Sequence, residues 1–458
     1  MENNGVFCDR KGGIHFVGIG GVGMYSLARL AMGLGISVSG SDLSENGYTR
    51  SLASLGARIF YTHSEKNITE GVRELVYSLA IAQDNPELTA AAKMGIPVRT
   101  RAEKLGELMR SYAFPIGVSG SHGKSTTTAM IYHILAKLGK NPTALVGAPL
   151  RGGVPFAQGG KDILVYEACE YKDSFLKFFP SVVAITNIEL DHTDYFSSLN
   201  DIKHSFLMCI NRAERLAVIN IDDENSSSLL PLIDVDTLTY GFSEKADVRA
   251  SLSSFRNEKI KYKLMHENSC LGEYSLSVPG VFNISNALCA ICAASSLGIP
   301  LSDCAQALAD FSGIGRRMEL VGNVGTKAVI YDYAHHPTEI RAVIDALKLT
   351  YRTLTVIFKP HTYTRTRDMW DEFASALSLA DSVIITDIFP AREEPIEGVS
   401  SQRLAAHIGE SAVYATDLDA PLIALSGQSR AIVVMGAGNN DKVLAGLLEK
   451  RLDNLTEK

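Results

Sequence analysis

The stretch IHFVGIGGVGMYSLARLAMGLGISVSG, residues 14–40, decides the fold. Ile14 to Ile19 is a short β-branched run that reads as a strand, and Gly23 to Leu34 carries apolar residues at helical spacing. Ile36 to Gly40 reads as the next strand. A strand, a glycine turn, a helix and a second strand in close succession make a parallel crossover, which is right-handed in nearly all proteins. Further strands are predicted near Ala57 to Tyr61 and Glu74 to Ser78, and a charged, helix-prone connector from Arg99 to Arg110. A second series opens at Tyr112 to Gly120 (strand) and Lys124 to Leu138 (helix). Strands at Ile163 to Ala168, Ser181 to Ile188 and Leu216 to Asn220 follow.

Between about 235 and 278 the texture changes to short alternating segments, which predicts a small antiparallel patch. Helices over 283–297 and 302–310 come next. A third series starts near Gly315, with strands at Ala328 to Tyr333, Thr353 to Lys359, Ser382 to Asp387, Ala412 to Thr416 and Ala431 to Met435. The fold class is therefore α/β in three domains: 1–108, 109–314 and 315–458. A length of 458 residues fits about three domains of roughly 150 residues each.

Composition narrows the function classes. Charged residues make up 21% and the apolar set 46%, which excludes wholesale disorder. Lys plus Arg at 44 against Asp plus Glu at 51 gives −7, so the surface does not suit a polyanion and nucleic acid is not an expected partner. Seven cysteines are scattered through apolar runs, and the Cys289/Cys292 pair reads as a buried helical pair rather than a metal or redox site. No apolar stretch suits a membrane span or a leader, so a cytoplasmic protein that does not engage a membrane is expected.

Two motifs carry phosphate chemistry. Gly18-Ile19-Gly20-Gly21-Val22-Gly23 is a GxGxxG directly after a strand and opening a helix, the arrangement that seats a pyrophosphate on a helix N-terminus. Asp42, ending the next strand, stands where it would meet a ribose. The motif reports a nucleotide diphosphate, and NAD and UDP-linked ligands fit it equally. Gly120-Ser121-His122-Gly123-Lys124-Ser125-Thr126 is a phosphate-cradling loop between strand and helix. Its Lys124 would reach the β- and γ-phosphates and its Ser125 hydroxyl would face Mg²⁺. A dehydrogenase does not need the second loop, and a motor ATPase does not need the first. A ligase that consumes ATP on a substrate with its own nucleotide handle needs both.

Polar residues gather where predicted strands stop. Glu167 ends one strand, and Asp191-His192-Thr193-Asp194 follows another. Beside a phosphate loop, Glu167 and His192 are placed to hold Mg²⁺, although an ordinary strand-end charge and a packing histidine remain the plain alternatives. Glu170, Asp173 and Glu189 read as solvated or supporting. The third domain offers Arg316-Arg317, then Asp332 with His335-His336, then Lys359 to Arg367, each at a strand end and suited to an anion or a substrate rather than to a metal.

In order, GIGGVGM, GSD, GSHGKSTTT, EACEY, TNIELDHTDYF, NISNA, GIGRRMEL, YDYAHHPTEI, FKPHTYTRT, DIFPAREEPIEGVSS and MGAG resemble the Mur ligases over residues 13 to 440. The resemblance implies a Rossmann-like N-terminal domain, a P-loop ATPase-like central domain and a Rossmann-like C-terminal domain. It implies an ATP-dependent ligase joining L-alanine to the lactyl carboxyl of UDP-N-acetylmuramate through an acyl phosphate, in peptidoglycan precursor synthesis. ATP and Mg²⁺ are the implied cofactors, and a monomer or homodimer the implied state. Residue by residue, Gly18, Gly20, Gly21, Gly23, Asp42, His63 and Ser78 would hold the UDP-sugar. Gly120 to Thr126, Asn286, Arg317 and Asp332 would hold ATP, with Ser125, Glu167 and His192 as metal ligands. Lys124, Glu167, His192, Arg317 and His336 would be catalytic, and His361 and Arg365 would meet the amino acid. A family member that adds a preformed tripeptide to the same nucleotide sugar is the near alternative, and an NAD-dependent oxidoreductase the distant one.

Overall fold

The computed structural model describes residues 12–448 except 152, 194, 257, 258, 268, 392, 438, 439 and 441, so Asp194 of the motif above lies outside the described residues. The chain divides into two compact units. One comprises the residues up to Asp247 together with Cys289–Cys304, and the other Val248–Leu288 together with the residues from Ala305.

The first unit holds two sheets. Its N-terminal sheet runs in the order Arg58–Phe60, Val38–Ser41, Gly13–Val17, Val72–Tyr77, Val98–Thr100, and every pairing is parallel. The order reverses beside Gly13–Val17, and an open parallel sheet forms its ligand crevice at the carboxyl ends of the strands flanking such a reversal. The second sheet runs Thr237–Gly241, Leu216–Asn220, Val182–Ile185, Phe114–Ser119, Ile163–Glu167, Thr143–Leu145, Phe156–Ala157. It is parallel except for its last pair. Phe114–Ser119 lies centrally and is buried along its whole length, which suits a strand covered by helices on both faces. One hydrophobic core joins the two sheets, from Phe16 and Leu27 to Phe175 and Phe206.

The second unit contains an antiparallel meander, Val248–Arg256, Lys259–His266 and Ser269–Leu276. The antiparallel patch expected from residue 235 therefore begins later. Thr237–Gly241 pairs in parallel with Leu216–Asn220, because the alternation of a short strand does not reveal the direction of its partner. The C-terminal sheet runs Glu319–Val324, Lys327–Asp332, Ala431–Met435, Leu354–Phe358, Ser382–Ile385, Ala412–Tyr414. Only its first pair is antiparallel. Glu319–Val324 escaped the sequence reading because it is a mostly exposed edge without an apolar run. Cys289 and Cys292 are wholly buried, and burial pushes the Cys289 thiol up to about 12. Among the described residues, no helix is long and apolar enough to cross a membrane.

Candidate functional site

The N-terminal glycine loop is tied to the strand beside it. The N–H groups of Gly18 and Ile19 donate to the Ser41 carbonyl (2.8 and 3.0 Å), and that of Gly21 donates to Gly18. The Gly20 N–H donates to Asp42 Oδ2 at 2.8 Å, while Asp42 Oδ1 accepts from Leu43 N. Asp42, expected at a ribose, thus already braces the loop. The helix Val22–Gly33 has no side-chain cap at Gly21, so its first-turn N–H groups are the ones an anion would meet. Ser78 follows the neighbouring strand and stands beside Gly18.

His63 lies at the same sheet edge. Its Nδ1 is 2.8 Å from Glu87 Oε2 and 3.0 Å from Ser41 Oγ. Glu87 is wholly buried in the first turn of the helix Pro86–Lys93. Burial pushes its carboxyl up, but hydrogen bonds from His15, Ser41, Asn67 and His63 outweigh it and hold the pKa at about 2.

In the central sheet, the phosphate loop follows Phe114–Ser119 and opens the helix Lys124–Lys137. Gly120 sits at φ +141°, where a Cβ would fall 2.0 Å from Thr186 Oγ1, so only glycine fits. The loop is pinned to the next strand end. His122 N donates to Asn187 Oδ1 at 2.8 Å, and Ser121 Oγ joins Glu189 N at 2.8 Å. His122 Nε2 lies 3.3 Å from Glu189 Oε2.

The Ser125 hydroxyl donates to Glu167 Oε2 at 2.6 Å, and the same oxygen accepts the Gly147 N–H at 2.9 Å. Lys124 Nζ bonds the carbonyls of Gly120 and Ser121 and pairs with Glu170 at 3.1 Å. His192 Nε2 approaches Glu170 at 3.7 Å and its ring packs on Tyr171. His192 has φ +55°, an uncommon conformation for a residue with a Cβ. Burial alone would lower the Lys124 pKa, but Glu170 most, with Cys169 and Glu167, raises it above the ordinary lysine range. One ammonium facing two carboxylates leaves a negative balance, and the adjacent oxygens of Ser125 and Glu167 are hard donors suited to Mg²⁺.

Of the two expectations for Glu170, solvated or supporting, the structure bears out the second: the side chain does not face solvent. It is wholly buried and stands between Lys124 and His192. Asp173 and Glu189 do act as partners, Asp173 accepting from Tyr195 at 2.6 Å. Cys169 lies in the same loop, and burial with Glu170 pushes its thiol up to about 11, so it stays protonated and a poor nucleophile. Arg101 was missed by the sequence reading. It packs against Gly23 and pulls the Cys169 pKa back, which places its charge near both loops. Arg101 opens a helix in a charged stretch, and nothing in the local pattern marks such an arginine as different from a solvated one.

In the second unit, Asp332 ends its strand and accepts N–H bonds from Met318 (2.8 Å) and Ala334 (2.6 Å). Burial raises its pKa to about 6 against the opposing pull of Arg317. Arg317 pairs with Glu339 at 3.4 Å and lies over the Tyr333 ring. Burial raises the Tyr333 pKa, and the charges of Arg317, Arg316 and Arg365 oppose the rise; Arg316 itself lies over the Tyr331 ring. His335 contacts Glu339 at 3.2 Å, and its ring meets that of His361, which in turn stacks on Phe389. His336 caps the helix Pro337–Lys348, its Nδ1 accepting the Thr338 N–H, a structural duty the sequence reading did not give it. Asn286 lies buried on the helix Val281–Ser295 and donates to Asn283. Within the first unit the sequence-predicted residues form two groups, Gly18 to Gly23 with Asp42, His63 and Ser78, and the phosphate loop with Glu167 and His192. The second unit carries Arg317, Asp332, His336, His361 and Arg365, and Asn286 on the helix Val281–Ser295.

Three family models match in chain order: the Mur ligase family catalytic domain over 13–113, the Mur ligase middle domain over 118–294, and the Mur ligase glutamate ligase domain over 316–438. A protein of Geotalea uraniireducens named UDP-N-acetylmuramate–L-alanine ligase is 40% identical over 448 residues, covering 95% of this chain and 97% of that one. Among solved structures, the UDP-N-acetylmuramate–alanine ligase of Thermotoga maritima is similar with a TM-score of 0.82 and 29% identity, covering 96% of this chain and 99% of that one. A murein peptide ligase of Psychrobacter arcticus shares the fold, with a TM-score of 0.71 at 23% identity, covering 96% and 98%.

Proposed function

The chain belongs to the Mur ligase family, and from that premise we propose that it joins L-alanine to the lactyl carboxyl of UDP-N-acetylmuramate with consumption of ATP. The observation that carries this reading is the phosphate loop, with Ser125 and Glu167 2.6 Å apart and Lys124 held charged beside them, in the same compact unit as a glycine loop suited to a second nucleotide.

A carboxylate is a poor electrophile. Its oxygen first attacks the γ-phosphorus of ATP, the bond to the ADP oxygen breaks, and an acyl phosphate forms. The amine of L-alanine then attacks the carbonyl carbon, the nitrogen loses a proton, and inorganic phosphate leaves with one former carboxyl oxygen. The first step drives like charges together. Two unit charges at 4 Å repel by about 4 kcal/mol at an effective dielectric of 20, and several are present. We assign Lys124 to neutralise this charge as it develops, which is electrostatic rather than covalent work. Mg²⁺, when bound, supplies further neutralisation at the phosphates, and Ser125, Glu167 and His192 would hold it. Glu170 keeps Lys124 aimed.

In the second unit we assign Asn286, Arg317 and Asp332 to ATP, and His336, His361 and Arg365 to the acceptor, Arg365 pairing its carboxylate as a fork. We read the domain boundaries near 108 and 314, and the enzyme as a cytoplasmic monomer or homodimer. The direct test is phosphate release from ATP with UDP-N-acetylmuramate and, separately, L-alanine, glycine or the tripeptide as acceptor. Release is expected only with the sugar nucleotide and L-alanine together. Dependence on the tripeptide instead makes the enzyme a recycling ligase, and no release with any acceptor removes the ligase reading.

A further inference from the structure

The buried carboxylate of Glu87 has a place in the first nucleotide site that the family motifs do not give it. Its two oxygens meet four donors. Oε1 faces Asn67 Nδ2 at 2.6 Å and His15 Nε2 at 3.3 Å, and Oε2 faces Ser41 Oγ at 2.6 Å and His63 Nδ1 at 2.8 Å. A carboxylate accepts about four hydrogen bonds and donates none, so its capacity is filled. It remains ionised although wholly buried, helped by the first turn of its own helix, where the N-terminal dipole favours an anion.

The proton count around His63 follows from this. Ser41 has one hydroxyl proton, and it goes to Glu87. Nδ1 of His63 therefore faces two acceptors, the Glu87 carboxylate and the Ser41 oxygen, and must itself carry hydrogen. In a neutral imidazole the remaining proton acceptor is then Nε2. Three further bonds hold the arrangement still. Asn67 also donates to the carbonyl of Thr62, next to His63, at 2.7 Å. Ser41, through its carbonyl, receives the N–H groups of Gly18 and Ile19. One carboxylate thus ties the histidine and the glycine loop to a common anchor.

We propose that Glu87 is a positioning residue for the sugar nucleotide: it fixes the His63 proton on Nδ1 so that Nε2 accepts a hydrogen bond from an N–H or O–H of the uridine. This rests on the reading of the first domain as the UDP-sugar site. His63 then selects a ligand with a donor at that place, which the imide N–H of uracil and a ribose hydroxyl both supply. Comparing UDP with its N3-methyl derivative separates the two, since only the imide loses its donor.

The test is calorimetric binding of UDP-N-acetylmuramate to the whole protein, with nitrogen-15 spectra of its histidines. In the neutral ring of the unsubstituted protein, His63 should show its proton on Nδ1 and none on Nε2. His63→Ala and Glu87→Gln should each weaken binding by at least about tenfold while leaving ATP binding within about twofold. The double variant should lose little more than either single one, because both break the same bond. An Nε2-protonated tautomer in the unsubstituted protein overturns the inference, whether or not Glu87→Gln folds. Dissociation constants within twofold for folded His63→Ala and Glu87→Gln overturn it too, as does an equal loss of ATP binding. If the unsubstituted protein does not bind the sugar nucleotide, the reading of the domain fails, while the spectra still report the proton arrangement.

Discussion

Lys124→Ala lowers kcat by about 10³-fold and leaves UDP-N-acetylmuramate bound within about twofold. The size follows from where the charge acts. Removing one preorganised stabiliser of transition-state charge typically costs 10²–10³ in rate, and Lys124 is the ammonium held beside Glu167 and Glu170 at the phosphate loop. The selectivity follows because the sugar nucleotide is assigned to the other glycine loop, at the other sheet of the unit. Glu170 is wholly buried, so losing its cation costs stability as well, up to about 3–5 kcal/mol. A Lys124→Ala/Glu170→Ala variant should recover part of that stability and none of the turnover. Loss of sugar-nucleotide binding in either variant means that the two nucleotide sites have been exchanged.

Gly147→Ala is expected to fold normally and to lose about 10²-fold in kcat. A Cβ at this position would fall 2.2 Å from Glu167 Oε2, the oxygen that joins Ser125. The glycine is exposed and its φ lies outside the left-handed region, so the backbone accepts alanine without strain. What gives way is the end of the Glu167 side chain, which swings off Ser125. A displacement of about 1 Å in a catalytic group costs rate on that scale. Steady-state kinetics and thermal melts check this together: a melting temperature within a few degrees of the parent with the predicted loss supports the geometry. A kcat within threefold shows that Glu167 has no need of that position.

Much of this was legible in the chain because the signals are local. A glycine-rich turn between an apolar run and a helical pattern specifies its own conformation, so residues 18–23 and 120–126 stand where the motif places them. What was not legible depends on residues distant in sequence. Glu170 looks like a surface acid in a loop, and only the fold brings it under Lys124, 46 positions away. Glu87 looks like the first-turn acid of a surface helix, and only the sheet edge surrounds it with donors from positions 15, 41, 63 and 67. Asp42 was legible as a strand-end acid but not as the partner of Gly20, because one acid can serve a ligand or the loop. His336 is the converse: a polar cluster at a strand end drew attention to it, while Pro337 and Glu339 already spelled a helix start with His336 at the cap.

In the proposed mechanism the lactyl carboxyl is activated by direct transfer of the γ-phosphoryl group. The most direct measurement is mass analysis of the inorganic phosphate released when the carboxyl of UDP-N-acetylmuramate carries oxygen-18. One labelled oxygen per phosphate, appearing only when L-alanine is present and consumed, is the predicted result. Phosphate free of label, with the amide still formed, would contradict it, because the carboxyl oxygen would then have left by a route that never joined it to phosphorus.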